Sequence, residues 1–203
     1  RWKYTNKSFH LNFLTWLNVE IKPNKVSENY KFDKPDVLIA GCGTGRHTIA
    51  SERYLNSNIL GIDLSLTSLV YAKRKILELG FKNIEFLHAD ILQLKELNKK
   101  FDVIESVGTL HHMRDPLEGL KVLTDILKPG GFLKLGLYSE IGRIHIARAR
   151  ELIKKENFKS TIEDIRVCRQ VIFNKEEKDQ LFKYITFSRD FYSTSTVRDL
   201  LFH

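Results

Sequence analysis

Three glycines, two aspartates and a pair of histidines are spaced in this chain as a ligand site requires. Gly41, Gly43 and Gly45 alternate in Val37-Leu38-Ile39-Ala40-Gly41-Cys42-Gly43-Thr44-Gly45, at the end of a short branched apolar run. Alternate glycines let the backbone turn sharply and leave room beside it, and a helix starting there aims its first N–H groups at whatever binds. Asp63 ends a second apolar run, Asn58–Asp63. An acid about 20 residues beyond such glycines can accept both hydroxyls of a ribose. Asp90 ends a third run, Asn83–Asp90, placed to accept an adenine amino group. His111-His112 follow a fourth, Phe101–Val107, and a neutral imidazole there can take a proton from a nucleophile. Plainer uses exist for each: strand-end carboxylates cap helices, and histidines pack. An adjacent histidine pair is a poor metal chelate. The glycine loop alone does not separate nucleotide classes, because dinucleotide folds want G-x-G-x-x-G and the sixth position here is Arg46.

The elements that must position these residues alternate. Val37–Ala40 reads as a buried strand, Thr44 to about Tyr54 as a helix, and Asn58–Asp63 as the second strand. Ser65 caps a helix Leu66–Leu79 that Gly80 ends, with Leu66, Leu69, Val70, Ile76 and Leu77 facing a sheet and Lys73, Arg74 and Lys75 wet. After the third strand, Ile91–Leu97 is a short helix or loop, and Phe101–Val107 is the fourth strand. Asp115-Pro116-Leu117-Glu118 supplies a cap, a proline at the first helical position and an acid at the third. That helix is expected to reach Leu127 and to stop at Lys128-Pro129-Gly130-Gly131, before a fifth strand Phe132–Tyr138. Alternation of this kind predicts an α/β fold with a parallel, doubly wound sheet, in which strands one and four meet at the switch point.

Composition bounds the rest. The 203 residues suffice for one domain with a proper core. No run of eighteen apolar residues is present, so no membrane partner is expected. Two isolated cysteines, Cys42 and Cys168, without C-x-x-C, suggest a reducing, cytoplasmic setting and no metal framework. The net charge of +8 suits an acidic partner such as RNA, but the lysines are scattered along helices, the mark of solvated faces.

Gly-x-Gly-x-Gly, Asp63 and Ala89-Asp90-Ile91, followed by Phe101-Asp102-Val103-Ile104, Leu110-His111-His112 and Leu127-Lys128-Pro129-Gly130-Gly131, resemble the class I S-adenosylmethionine-dependent methyltransferases in their order. The resemblance covers roughly Asp36 to Tyr138. It implies a Rossmann-like sheet of order 3-2-1-4-5 and S-adenosyl-L-methionine as cofactor. It assigns Ala40, Gly41, Cys42, Gly43, Thr44 and Gly45 to the cofactor loop, Asp63 and Leu64 to the ribose, and Asp90 with the Ile91 amide to the adenine. Backbone groups of Glu105 or Ser106 fall near the methionine moiety. The family usually carries an acid where this chain has Ile39, and Glu105, ending the adjacent strand, is expected to replace it. His111 is the candidate general base, Tyr138 and Glu140 being lesser ones. The acceptor is expected to be a small molecule. The alternatives are RNA or protein methylation, or a cofactor-binding module without turnover. Asn/Asp-Pro-Pro-Tyr, found in many nitrogen-methylating relatives, is absent after strand four.

Helical additions are expected at both ends. In residues 1–35, Ser8 to about Glu20 carries Phe9, Phe13, Trp16 and Leu17 on one stripe, with Leu14 near it; Pro23 follows, and a polar connector runs to Pro35. Residues 36–139 are the cofactor domain. Residues 140–203 read as helices over Arg143–Glu156, Ile162–Phe173 and Asn174–Ile185, with a fourth starting at Thr194 or Ser195. These are expected to form a lid, with Arg143, His145, Arg148, Phe191 and Tyr192 as candidates to face substrate. Related enzymes add two more strands here, so the chain, running from Arg1 to His203, is expected to be a fragment. Its closest resemblance is to a bacterial subgroup fused to tetratricopeptide repeats, although no repeat occurs within these residues. Oligomeric state is not legible.

Overall fold

A computed structural model of the chain describes residues 34–51, 54, 56–139 and 141–202. The expected helix at Ser8–Glu20, most of the connector behind it, and Glu140 lie outside the described residues. The chain divides into two compact units, one ending at Leu137 and one beginning at Tyr138.

The first unit is built on five parallel strands: β1 (Asp36–Ala40), β2 (Asn58–Asp63), β3 (Ile84–His88), β4 (Phe101–Val107) and β5 (Leu127–Gly136). Their spatial order is β3-β2-β1-β4-β5, the Rossmann-like order expected. Alternation along β1 sends Val37 and Ile39 to one face and Leu38 and Ala40 to the other. The first face is covered from α1 (Arg46–Ala50) by Ile49 and from α2 (Leu66–Leu79) by Leu69 and Ile76. The second is covered by Ile91 and Leu94 of a 3-10 helix (Ile91–Leu97), and by Val122 and Leu123 of α3 (Pro116–Asp125). A sheet buried on both faces explains why its strands read as apolar runs rather than alternating ones.

Local signals placed α2 and α3. Ser65 Oγ accepts the Ser68 N–H, and Gly80 takes the left-handed conformation that ends α2. Asp115 Oδ1 accepts the N–H groups of Leu117 and Glu118, with Pro116 in the first turn. At the starts of the strands a charged clamp forms. Lys128 Nζ lies 2.8 Å from Asp102 Oδ2 and 3.4 Å from Asp36 Oδ2, and Lys99 Nζ lies 3.1 Å from Asp36 Oδ1. The Asp36 N–H also donates to Asp102 Oδ2 at 2.9 Å.

Four expectations need correction in this unit. The first helix begins at Arg46, not Thr44, because Gly41, Gly43 and Gly45 all have positive φ and no right-handed turn starts before the last of them. The inward stripe of α2 is Leu69, Ala72 and Ile76; Leu66, Val70 and Leu77 are exposed. The small Ala72 selects that face, because it packs against Gly45. The third helix stops at Asp125, and β5 starts at Leu127, which pairs with Phe101 before an irregularity that resumes at Val103 and Phe132. The strand ends at Gly136, short of Tyr138.

The second unit contains α4 (Ile144–Lys155), α5 (Ile162–Lys175), α6 (Gln180–Thr186) and α7 (Thr194–Leu201), with 3-10 turns at Ile141–Arg143 and Arg189–Tyr192. Among the described residues no strand follows Gly136. The expected helix Asn174–Ile185 is instead two pieces. α5 runs through Asn174 to Lys175, and Asp179 caps a new helix by accepting the Leu181 N–H. Phe191 cannot face a substrate: it is fully buried in this unit's own core, edge-on to Phe173 at 5.3 Å. Arg148 is engaged by Glu151 and Asp179, and Arg143 lies 3.5 Å over the Tyr138 ring.

Candidate active site

The glycine loop is held by hydrogen bonds within the protein. Gly41 and Cys42 both donate their N–H to Ile62 O, at 3.0 and 2.8 Å, which ties the end of β1 to β2. Asp63 extends that tie. Its Oδ2 accepts the Gly43 N–H at 2.7 Å and its Oδ1 accepts the Ser65 N–H at 2.8 Å. One carboxylate thus fixes the middle of the loop and the turn into α2.

The three glycines do different work. A Cβ on Gly41 would sit 2.2 Å from Thr109 Oγ1, and one on Gly45 would sit 2.7 Å from Ala72 Cβ. Those vacancies are filled by the protein itself. A Cβ on Gly43 would meet nothing within 4 Å, so only there does the missing side chain leave open space beside the backbone.

Beside this loop lies a cavity of about 290 Å³, at the lower end of the range for small-molecule sites. Of the expected residues, Gly41, Asp63, Leu64, Asp90 and Ile91 line it. Asp90 caps the 3-10 helix, its Oδ1 accepting the Leu92 N–H at 3.0 Å. Thr109, His112, Met113 and Arg114 also line the cavity, none of them expected from sequence as cofactor contacts. Ala40, Cys42, Gly43, Thr44, Gly45, Glu105, Ser106 and His111 are not part of this lining.

Glu105 is buried on β4 and sits in register with Ile39 of β1. Its Oε1 accepts a hydrogen bond from the hydroxyl of Tyr54, a fully buried residue that sequence reasoning did not single out. Ser106, the next residue along β4, is also fully buried, and its Oγ has no hydrogen-bond partner among the described residues. The histidine rings lie 4.2 Å apart; His112 is exposed at the cavity, whereas both ring nitrogens of His111 are buried. Burial, with the Asp63 carboxylate nearby, pushes the Cys42 thiol up to about 12, so it stays protonated at neutral pH. Among the described residues no group of histidine, cysteine and acidic side chains could hold a metal, and no helix is long and apolar enough to cross a membrane.

Residues 37–131 match the family described as a methyltransferase domain. That segment, just under half of the chain, is therefore similar to methyltransferase domains. The similarity implies S-adenosylmethionine as cofactor, and the residues present suit that group: the Asp63 and Asp90 carboxylates border the cavity, and the Gly43 backbone of the adjoining loop is left open. The chain is 37% identical over 126 residues to an uncharacterized protein of Synechococcus, covering 59% of this chain and 29% of that protein. It is 32% identical over 92 residues to a demethylmenaquinone methyltransferase of Bacillus cytotoxicus, covering 44% of this chain and 39% of that one. It is 29% identical over 122 residues to phosphoethanolamine N-methyltransferase 1 of Arabidopsis thaliana, covering 60% and 25%. The chain therefore spans well under half the length of these relatives. In fold it resembles PKMT2 from Rickettsia typhi in complex with AdoHcy, with a TM-score of 0.69 at 24% identity over 83% of this chain and 35% of that one.

Proposed function

We propose that the methyltransferase domain transfers the methyl group of S-adenosylmethionine to a small-molecule acceptor. The observation that carries this reading is the cavity lined by Gly41, Asp63 and Asp90, with the Gly43 backbone of the same loop left open. Two relatives named for small acceptors, demethylmenaquinone and phosphoethanolamine, support the acceptor class.

S-adenosylmethionine brings its own activation, a methyl group on a sulfonium, so the chain's task is alignment and exclusion of water. Asp63 and Leu64 hold the ribose. Asp90 and the Ile91 amide hold the adenine. Ala40 to Gly45 shape the loop, and backbone groups at Glu105 and Ser106 border the methionine end. Glu105 replaces the acid missing at Ile39, a reading supported by their register on neighbouring strands. Glu105→Gln is expected to weaken cofactor binding by 5-fold or more in calorimetry; unchanged affinity would remove this role.

An oxygen acceptor must lose a proton as the methyl arrives. The base comes from His111-His112, and the exposure of His112 at the cavity favours His112 over His111 for direct contact. Replacing the base by alanine is expected to lower turnover by roughly 10²–10⁴-fold with cofactor affinity nearly constant. Full turnover in both single variants would leave alignment alone as the source of rate. The acceptor itself is found by incubating the protein with labelled cofactor and lysate metabolites or RNA. Label appearing in RNA or protein, and in no small molecule, would overturn the acceptor class.

A further inference from the structure

We infer that Thr109 is a positioning residue that keys the histidine loop to the cofactor loop. The inference rests on the cofactor reading above and extends it to a residue outside the glycine motif.

The segment from Gly108 to Met113 leaves β4 through a left-handed glycine, Gly108, with φ +74°. Gly108 is fastened to β5 by its N–H, which donates to Gly136 O at 2.9 Å. The segment then turns once as a 3-10 helix, with the His112 N–H donating to Thr109 O at 2.9 Å. Three side chains seat this turn. Leu110 is buried in the core under α3. Met113 fills the space above Gly119 of α3, where an added Cβ would come within 2.5 Å of its sulfur. Thr109 fills the space above Gly41, its Oγ1 and Cγ2 at 2.2 and 2.3 Å from where a Cβ would stand.

Two of the three anchors thus reach the body of α3, and only Thr109 reaches the glycine loop. Its hydroxyl donates to Gly41 O over a long 3.4 Å, so shape rather than hydrogen bonding carries the contact. Thr109 and Gly41 also both line the cavity, as does His112. Close-packed contacts of this kind transmit small displacements, because a packed pair has few alternative arrangements. Ligand pressing on the glycine loop therefore moves the histidines through Thr109.

The test uses the full chain with S-adenosylhomocysteine as probe. Calorimetry gives affinity, and imidazole NMR signals, assigned with His111→Gln and His112→Gln, report the loop. His111 is the informative ring, since it does not line the cavity. In the unsubstituted protein its signal is expected to shift on binding. Thr109→Val, which keeps the shape, should retain that shift. Thr109→Ala should reduce it to less than half, with affinity falling no more than about 5-fold, and Thr109→Ser should lie between. Thermal melts confirm that each variant folds; if Thr109→Ala does not, the Ser and Val pair decides. A full shift in Thr109→Ala, or loss in Thr109→Val with retention in Thr109→Ser, would overturn the inference. So would binding without any His111 response in the unsubstituted protein. Failure of that protein to bind the probe would instead overturn the cofactor reading, and the coupling with it.

Discussion

Gly41 and Gly43 differ in what their missing side chains leave behind, and the difference is measurable. The Cβ that Gly43→Val adds meets no protein atom within 4 Å, so its main cost is the left-handed backbone penalty of about 1–2 kcal/mol. It should nevertheless abolish cofactor binding by filling the cradle. Gly41→Val carries the same penalty and also collides with Thr109, adding an overpacking cost of about 1–3 kcal/mol. Thermal melts paired with calorimetry check both, and normal binding by Gly43→Val would move the site elsewhere. Asp63→Ala should weaken binding by about 1–3 kcal/mol, partly by releasing the Gly43 and Ser65 N–H groups that its carboxylate holds. An unchanged Kd would reduce Asp63 to a structural tie. The buried cysteines offer a third check. Burial raises the Cys42 and Cys168 thiols to about 12 and about 11, so neither should react with iodoacetamide at pH 7.5 until the protein is unfolded. Rapid native labelling would show that the glycine loop is open.

At the scale of elements, the sequence was most legible where the deciding chemistry is local. Ser65 and Gly80 bound α2, and Asp115-Pro116 starts α3, because caps act within a few residues of themselves. It was least legible where pairing across the sheet decides. Lys128-Pro129-Gly130-Gly131 reads as a stop, yet Leu127 already pairs with Phe101 and the strand absorbs the interruption as an irregularity. The stripe Leu66, Val70 and Leu77 fits helical spacing as well as the true one does, and the contact between Ala72 and Gly45 belongs to the face that Leu69 and Ile76 bury. Around the cavity, spacing brings out Gly41, Asp63 and Asp90, whereas the contacts of Thr109 with Gly41 and of Tyr54 with Glu105 join distant positions that no local pattern signals. The strand-start clamp has its own pH signature. Hydrogen bonding to Asp102, with the Asp102 and Asp36 charges, raises the Lys128 ammonium above its ordinary value despite partial burial. Its stabilisation is full below about pH 10.4 and is lost as pH rises through the folded value. Partial burial disfavours the charged form of Asp36, but Lys99, Asn58 and Lys128 outweigh it and lower its carboxyl. That contribution is full above about pH 3.9 and is lost as pH falls further. Because Lys128 is 38% exposed, the whole effect is about 0–1 kcal/mol. Urea melts from pH 8 to 11 should show Lys128→Met less stable at pH 8 and converging with the unsubstituted protein near pH 11. Parallel curves would mean the clamp is inert.

For the molecule as a whole, the methyltransferase assignment stands on one integrated claim: the loop, Asp63 and Asp90 make a single site for S-adenosylmethionine and not for a dinucleotide. Arg46 already replaces the third glycine of a dinucleotide loop. The most direct measurement is calorimetric titration of the full chain with S-adenosylhomocysteine, S-adenosylmethionine and NAD under the same conditions. One site per chain for each of the first two ligands is expected, with NAD bound at least 100-fold more weakly and both affinities reduced in Asp63→Ala. Tighter binding of NAD, or no binding of either adenosyl ligand, would contradict the account.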